Sequence, residues 1–261
     1  MSSVVCLSHR EDVDGILSAA LIKAVSKTKR IQIVLADYAN IISKLQKISA
    51  AASDEDSNKS NNNSGSISPT STSTSTSTST INTVSIGIGK PQRLFICDLG
   101  LSKKTEDKFL GLLKEIISKG IKVTYFDHHD INDELRKKLK KTGVTLIHSV
   151  EECTSVQIYN KYKNKLDSHA AFFAASAALT DYMECRPLAS AIMSRYDRQF
   201  LMLEATALSY MISSNQHNEE FLVNAVNTLS EMKYPHEIEG GFAIAERYAK
   251  KVADGVRIVQ D

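Results

Sequence analysis

The sequence predicts an α/β fold: a parallel sheet with helices on both faces, followed by an α-helical cap region. Two observations carry this. Short apolar runs of strand length alternate with helical patterns through the first 150 residues, the arrangement that buries a parallel sheet between two helix layers. Beyond residue 152 the strand-like runs stop, and amphipathic helical patterns follow one another.

The runs VVCLS (4–8), IQIVLA (31–36), RLFICD (93–98), KVTYFD (122–127) and VTLIH (144–148) predict five buried strands. Helical patterns lie between them at about 15–28, 38–51, 102–119 and 131–141. Residues 53–83 are low-complexity, polar and almost free of large side chains. Such a stretch buries too little surface to offset its ordering entropy and predicts a disordered insertion. The expected organisation is an α/β domain at 1–152, interrupted by that insertion, and a helical region at 153–261 that completes it. Helices of the second part are expected at about 154–163, 168–182, 185–200, 203–214, 218–232 and 236–252.

Composition narrows the function classes. With 261 residues, 42% of them hydrophobic, the chain is long enough for one or two domains with a core. A net charge of +2 announces no polyanion partner, so any phosphate binding has to be local. No apolar run reaches 18 residues, and MSSVVCLSHRED lacks the basic and apolar regions of a signal peptide. No membrane segment and a cytoplasmic location are therefore expected. Cys6, Cys97, Cys153 and Cys185 lie far apart without a C-x-x-C pair, which predicts reduced core thiols rather than a zinc site or a disulfide framework.

The chemistry collects at the carboxyl ends of the strands. The first run leads into SHREDVDG with His9, Asp12 and Asp14; the third ends on Asp98; the fourth ends on Asp127, His128 and His129. In a parallel sheet this is the edge where ligands bind. Taken singly, an aspartate at a strand end is a helix cap or a turn residue. A D-H-H tripeptide, however, arises by chance in only about one chain in a hundred. Carboxylates buried together repel and raise one another's pKa unless a cation compensates them. Carboxylate and imidazole ligands without thiolate suit Mn²⁺ or Mg²⁺, with Fe²⁺ or Co²⁺ as alternatives, better than structural zinc.

The stretches SHREDVDG (8–15), ICDLGLS (96–102), FDHHD (126–130) and ALTDYM (178–183) resemble the four acidic motifs of the DHH phosphoesterase superfamily. The resemblance runs from residue 4 to about 185, leaving out the insertion. That superfamily includes RecJ-type exonucleases, nano-RNases, cyclic-dinucleotide phosphodiesterases and manganese-dependent pyrophosphatases. The resemblance implies a metal-dependent phosphoesterase that hydrolyses phosphodiester bonds with water activated by two divalent ions, Mn²⁺ before Mg²⁺ or Co²⁺. It implies His9 and Asp12 on the first ion, Asp14 on the second, Asp98 bridging them, and His128 and Asp181 completing the coordination of the second ion. Asp127 would orient His128, and His129 would face the phosphate; Asp127, His128 and His129 are thus the implied catalytic set.

Some features depart from the superfamily. His9 and Asp12 are three residues apart, where several branches have four. HEIEGGFAIAER (236–247) carries only Gly240 and Gly241, inside what reads as a helix, where many members have a glycine-rich substrate-domain motif. The closing GVRIVQD reads as a short strand with nothing to pair with, so a C-terminal substrate domain is expected to be missing. Short single-stranded nucleic acid or nucleotides are the favoured substrates, because the pyrophosphatases of the superfamily need a basic second domain. Against a long nucleic-acid track stand the 7% aromatic content and the absence of Trp.

Arg195 and Arg198, at i,i+3 spacing in SRYDRQF, are candidate clamps for a substrate phosphate, with pairing to neighbouring acids as the competing reading. The basic run ELRKKLKKTG (134–143) reads as a solvated helix with charges matched to its dipole. His148, His169, His217 and His236 stand in no ligand-like spacing and read as surface or capping residues. Besides this enzyme, two further readings stay open: a non-catalytic scaffold in a replication or repair complex, and a pyrophosphatase or cyclic-dinucleotide phosphodiesterase; the candidate partners are a second copy in a homodimer or a replication or repair protein.

Overall fold

The computed structural model describes residues 3–26, 30–52 and 91–260, so the insertion expected at 53–83 lies outside the described residues. Five strands, β1 (Ser3–His9), β2 (Ile31–Ala36), β3 (Pro91–Cys97), β4 (Lys122–Asp127) and β5 (Thr145–His148), form one sheet in the order β2-β1-β3-β4-β5. Every pairing is parallel. The intervening helices are α1 (Val13–Ser26), α2 (Ile41–Ala51), α3 (Glu106–Ser118) and α4 (Asp133–Lys141). Chain order reverses between β1 and β3, so the connections leave their carboxyl ends in opposite directions and open a crevice there.

Side chains alternate between the two faces of the sheet, as a strand period of two demands. Val4 and Cys6 of β1, Phe95 and Cys97 of β3, and Phe126 of β4 enter one core, while Val5, Leu7, Leu94, Ile96, Val123 and Tyr125 enter the other. The second core is closed by α2, α3 and α4 through residues such as Leu45, Phe109, Leu113 and Leu139. The first core is closed by α1 together with the helices that follow the sheet: α5 (Thr154–Tyr162), α6 (Ala170–Thr180), α7 (Pro187–Met193), α8 (Arg198–Ser214), α9 (Glu219–Ser230) and α10 (Gly241–Gln260). Two of these helices are buried on every side over most of their length. Val13 to Ile22 of α1 and Ala170 to Ala178 of α6 are buried without interruption, because each is enclosed by other helices rather than lying on a surface.

Three boundaries differ from the sequence expectation. The break expected after residue 200 falls at 194–197 instead, because the Asp197 carboxylate accepts from Phe200 N at 2.8 Å and caps the start of α8. Gly240, with φ +68°, precedes α10 instead of lying inside a helix. The closing GVRIVQ is helical, not a strand: an unpartnered strand leaves its backbone groups unbonded, whereas extending α10 satisfies them internally. Among the described residues, no helix is long and apolar enough to cross a membrane.

Candidate metal centre

Register delivers the first residues of the site. Ser8, Cys97 and Phe126 are neighbours across β1, β3 and β4, so His9, Asp98 and Asp127 leave the sheet at one level. Asp98 takes φ +58° while its N–H donates to the Phe126 carbonyl at 3.0 Å; aspartate enters this left-handed region more readily than most residues. Its Oδ1 lies 3.2 Å from His128 Nε2 and accepts from Thr154 Oγ1 at 3.2 Å, and its Oδ2 lies 3.7 Å from His9 Nδ1.

The start of α1 brings two further acids and the end of α6 a third. Asp12 Oδ1 accepts from Gly15 N at 2.8 Å as α1 begins, and Asp12 Oδ2 is 2.7 Å from His9 Nδ1. Asp14 is fully buried, with its two oxygens accepting from Thr154 N and Ser155 N at 2.7 Å each. The first amides of α5 thus hold a carboxylate, as the positive end of a helix dipole favours. Each carboxylate oxygen keeps a second lone pair. Asp181, at the C-terminus of α6, places Oδ2 3.7 Å from His128 Nε2.

Three groups of donor atoms converge: His9, Asp12 and Asp98; Asp14, His128 and Asp181; and Asp98, His128 and His129. The atoms of each group lie within 4.8 Å of one another. Asp98 and His128 each belong to two groups, so the cluster is continuous.

Asp127 does not touch His128. Its Oδ1 is 2.8 Å from His129 Nδ1, in contrast to the orienting role toward His128 that the resemblance implies. On extended backbone, residues i and i+2 share a side while i+1 points away, and His128 accordingly turns to Asp98. His129 is held at two further points, one of them backed by Arg136. Its Nε2 meets the Tyr38 hydroxyl at 3.0 Å, its carbonyl meets His148 Nε2 at 2.6 Å, and Arg136 steadies His148 from 3.0 Å at Nδ1.

Charge crowding shows in the titration of these groups. Burial pushes the Asp14 carboxyl up to about 7, with the Asp98 charge adding to it. Burial and then the charges of Asp14 and Asp98 push Asp181 up to about 9. For His9, burial works downward, but Asp12 and Asp98 outweigh it and bring the imidazole up to about 10. Burial also opposes the charge on His128, and Asp98 overcomes it to reach about 9. His129 is raised likewise, with Asp127 outweighing burial. Burial raises Asp98, but His128 and His9 prevail and hold it well below the usual carboxylate range. Protons therefore compensate the acids in the metal-free protein.

The residues fit a divalent cation. Both His9 ring nitrogens, Asp127 Oδ2 and Asp181 Oδ2 are buried without a hydrogen-bond partner, while His9 Nδ1 lies 2.7 Å from Asp12 Oδ2, His9 Nε2 3.5 Å from Glu11 Oε2 and Asp181 Oδ2 3.7 Å from His128 Nε2. Buried donors and acceptors left without a hydrogen bond are costly, and a cation bound among them would satisfy them. The donors are carboxylates and imidazoles, which suit Mn²⁺ or Mg²⁺.

The structure thus brings His9, Asp12, Asp14, Asp98, Asp127, His128, His129 and Asp181 together. It does not bring Arg195 or Arg198 to them. Arg195 lies in the turn after α7, Arg198 opens α8, and neither makes a hydrogen bond or ion pair to the cluster. Phe200 packs on Phe172 in the first turn of α6 at 5.7 Å, whereas Asp181 follows the last turn; the helix between spans about 13 Å. Sequence reasoning missed Tyr38, His148 and the α5 amides, whose partners lie far away in the chain. It also missed why glycine stands at 15 and 100. A Cβ at Gly15 would sit 2.4 Å from the His9 carbonyl oxygen, and one at Gly100 would sit 2.8 Å from His129 Cγ.

No family model matches the chain, and no curated protein matches it. Solved structures do. An uncharacterized protein from Helicobacter pylori G27 superposes with TM-score 0.53 at 14% identity, covering 96% of this chain and 62% of its own. RecJ from Thermus thermophilus, in complex with Mn²⁺, superposes with TM-score 0.50 at 9% identity, covering 95% of this chain and 34% of its own. The chain therefore shares its fold with RecJ and spans about a third of RecJ's length.

Proposed function

We propose that this chain is a two-metal phosphoesterase of the DHH superfamily, hydrolysing phosphodiester bonds of short single-stranded nucleic acid or nucleotides. The observation that carries this reading is the continuous donor cluster, in which Asp98 joins a His9–Asp12 group to a His128 group that also contains Asp14 and Asp181. In this reading His9, Asp12 and Asp98 hold one ion; Asp14, Asp98, His128 and Asp181 hold the other. The fold shared with a Mn²⁺-bound RecJ supports Mn²⁺ as the metal. Two divalent ions bound there supply Lewis-acid charge for the phosphate oxygens and acidify the attacking water.

The chain's own groups do the rest. Asp127 accepts from His129 Nδ1 and so fixes the ring, leaving Nε2 as the atom that holds or gives a proton at a phosphate oxygen. His148 bonds the His129 carbonyl and keeps that backbone in place. The α5 amides hold the Asp14 carboxylate in place, where it would be a ligand of an ion.

The test is metal analysis followed by a Mn²⁺ assay on 5′-labelled short RNA, single-stranded DNA, cyclic dinucleotides and pyrophosphate. The expected result is two ions per chain and cleavage of a phosphodiester that is lost in Asp98→Asn. Absence of cleavage across the panel, with Mn²⁺ bound, would overturn the enzymatic reading in favour of a scaffold.

A further inference from the structure

The amino ends of β3, β4 and β5 form the edge of the sheet opposite the metal cluster. There Arg93 is the register partner of Lys122, Phe95 of Thr124, and Thr124 in turn of Thr145. Partners on neighbouring strands stand about 4.8 Å apart and point to the same face, so an exposed guanidinium and an exposed ammonium leave the sheet side by side. Neither side chain forms a hydrogen bond or an ion pair with any described residue. Lys44, Lys119, Lys138 and Arg186, by contrast, each hold a carboxylate. Two neighbouring cations repel when no anion lies between them, and nothing in the packing of the sheet requires both.

A cleft of about 360 Å³ opens at this pair. Among the described residues, Arg93 and Lys122 are the charged groups of its lining, and no carboxylate joins them. Thr124 and Thr145 add hydroxyl groups, and Phe95 and Tyr162 add aromatic walls. Tyr162 is the last residue of α5, half-buried, with its ring anchored 6.1 Å from that of Phe126. Lys161 Nζ and Lys165 Nζ each lie 5.9 Å from the centre of the Tyr162 ring. A chain whose net charge is only +2 thus gathers four cations around one small cleft with hydroxyl and aromatic walls.

We propose that this cleft is a second ligand site, separate from the metal cluster, that binds a nucleoside monophosphate with its phosphate between Arg93 and Lys122 and its ring against Tyr162. A phosphate monoester carries a charge of about −1.5 to −2 at neutral pH and three acceptor oxygens, which matches one guanidinium, one ammonium and the threonine hydroxyls. Guanidinium takes two phosphate oxygens at once, and ammonium meets a third as a point charge. The aromatic walls suit a flat ring, since every base offers a π-face. The volume lies at the small end of the range for ligand clefts, about 300–1,000 Å³, and so suits one nucleotide rather than a strand. β4 separates Lys122 from Asp127 by five residue steps, roughly 16 Å, so a ligand here does not reach the metal cluster. The proposal does not rest on the phosphoesterase reading.

The test is calorimetric titration of the full chain in EDTA, which keeps metal out of the other site, with adenosine monophosphate, inorganic phosphate and adenosine. The monophosphate is expected to bind at one per chain, and phosphate and adenosine each at least about tenfold more weakly, since each keeps only part of the contacts. Arg93→Gln and Lys122→Gln are each expected to weaken the monophosphate about tenfold or more, the effect of losing one charge-assisted hydrogen bond. Both variants are expected to melt at or above the parental temperature without ligand, because each removes a repulsion; a merely structural cation would lower stability together with affinity. Asp98→Asn, at the metal cluster, is expected to bind the monophosphate as the parent does. No binding by the parent, or binding that both cleft variants retain, would overturn the proposal. Binding lost in folded Asp98→Asn would place the ligand at the metal cluster and overturn it equally. Inorganic phosphate held as tightly as the monophosphate would overturn the assignment of the ring to Tyr162.

Discussion

Asp127 Oδ1 stands 2.8 Å from His129 Nδ1, and the remaining Asp127 oxygen is buried without a partner. A carboxylate in that position fixes which imidazole nitrogen carries the proton. Asp127→Asn keeps the shape and removes the charge, so it is expected to lower kcat by about 10- to 100-fold while the Mn²⁺ content stays that of the parent. Steady-state kinetics with metal analysis on the same samples would check it. Full recovery of activity at high Mn²⁺ would show that Asp127 acts on the metal instead.

Two glycines meet the site in different ways. At Gly15 a Cβ would lie 2.4 Å from the His9 carbonyl oxygen, a backbone atom that cannot yield, so Gly15→Ala is expected to destabilise by about 1–3 kcal/mol and to weaken metal binding. At Gly100 the obstacle is the His129 ring, 2.8 Å away at Cγ. A side chain can turn aside, so Gly100→Ala is expected to melt near the parental temperature yet lose activity, with His129 displaced from Asp127. Thermal melts compared with turnover would separate the two variants.

The pH dependence follows from groups whose folded pKa is raised. Asp14 goes from 3.8 to about 7, Asp181 from 3.8 to about 9, His128 from 6.5 to about 9 and His9 from 6.5 to about 10. Each holds its proton more tightly folded than unfolded, so its stabilisation is complete below the unfolded value and is lost as pH rises through the folded one. Metal-free protein should therefore lose this stabilisation from about pH 4, the unfolded value of the two acids, up to about pH 10, the folded value of His9. A divalent ion replaces these protons, so binding should release them and tighten as pH rises. Calorimetric titration with Mn²⁺ in buffers of different ionisation enthalpy would count the protons. A heat independent of buffer would contradict the assignment, and chelation by EDTA should return the melting curve of the metal-free protein.

Much of this site is visible in the residues because short strands end on acids, and a parallel sheet brings such ends to one edge. Asp98 and the DHH stretch are readable for that reason. The pairing of Asp127 with His129 was also within reach, since alternate residues of an extended segment share a side. Tyr38 was not, because its partner lies 91 residues further along the chain and a lone tyrosine after a strand carries no pattern. The amides of Thr154 and Ser155, 140 and 141 residues from Asp14, have no side-chain signature at all. At the other end, GVRIVQ has the apolar content of a strand, yet only a pairing edge would have made it one; without that it joins α10.

Away from the metal cluster, a buried acid provides a structural comparison. Glu204 in α8 is 1% exposed; its Oε2 accepts from His236 N at 3.0 Å and its Oε1 lies 2.6 Å from His236 Nδ1. The pair fastens the short 3₁₀ turn Pro235–Glu237 to α8, just before α10 begins. Glu204→Ala would leave the His236 N–H without its acceptor and is expected to cost about 1–3 kcal/mol, or several degrees of melting temperature at about 2–4 °C per kcal/mol for a chain of this size. Glu204→Gln keeps one acceptor oxygen and should fall between the two. Glu204 makes no contact with the cluster, so Mn²⁺ binding by folded Glu204→Ala should equal that of the parent. Loss of metal in the folded variant would mean that the helical region and the sheet edge are coupled through α8.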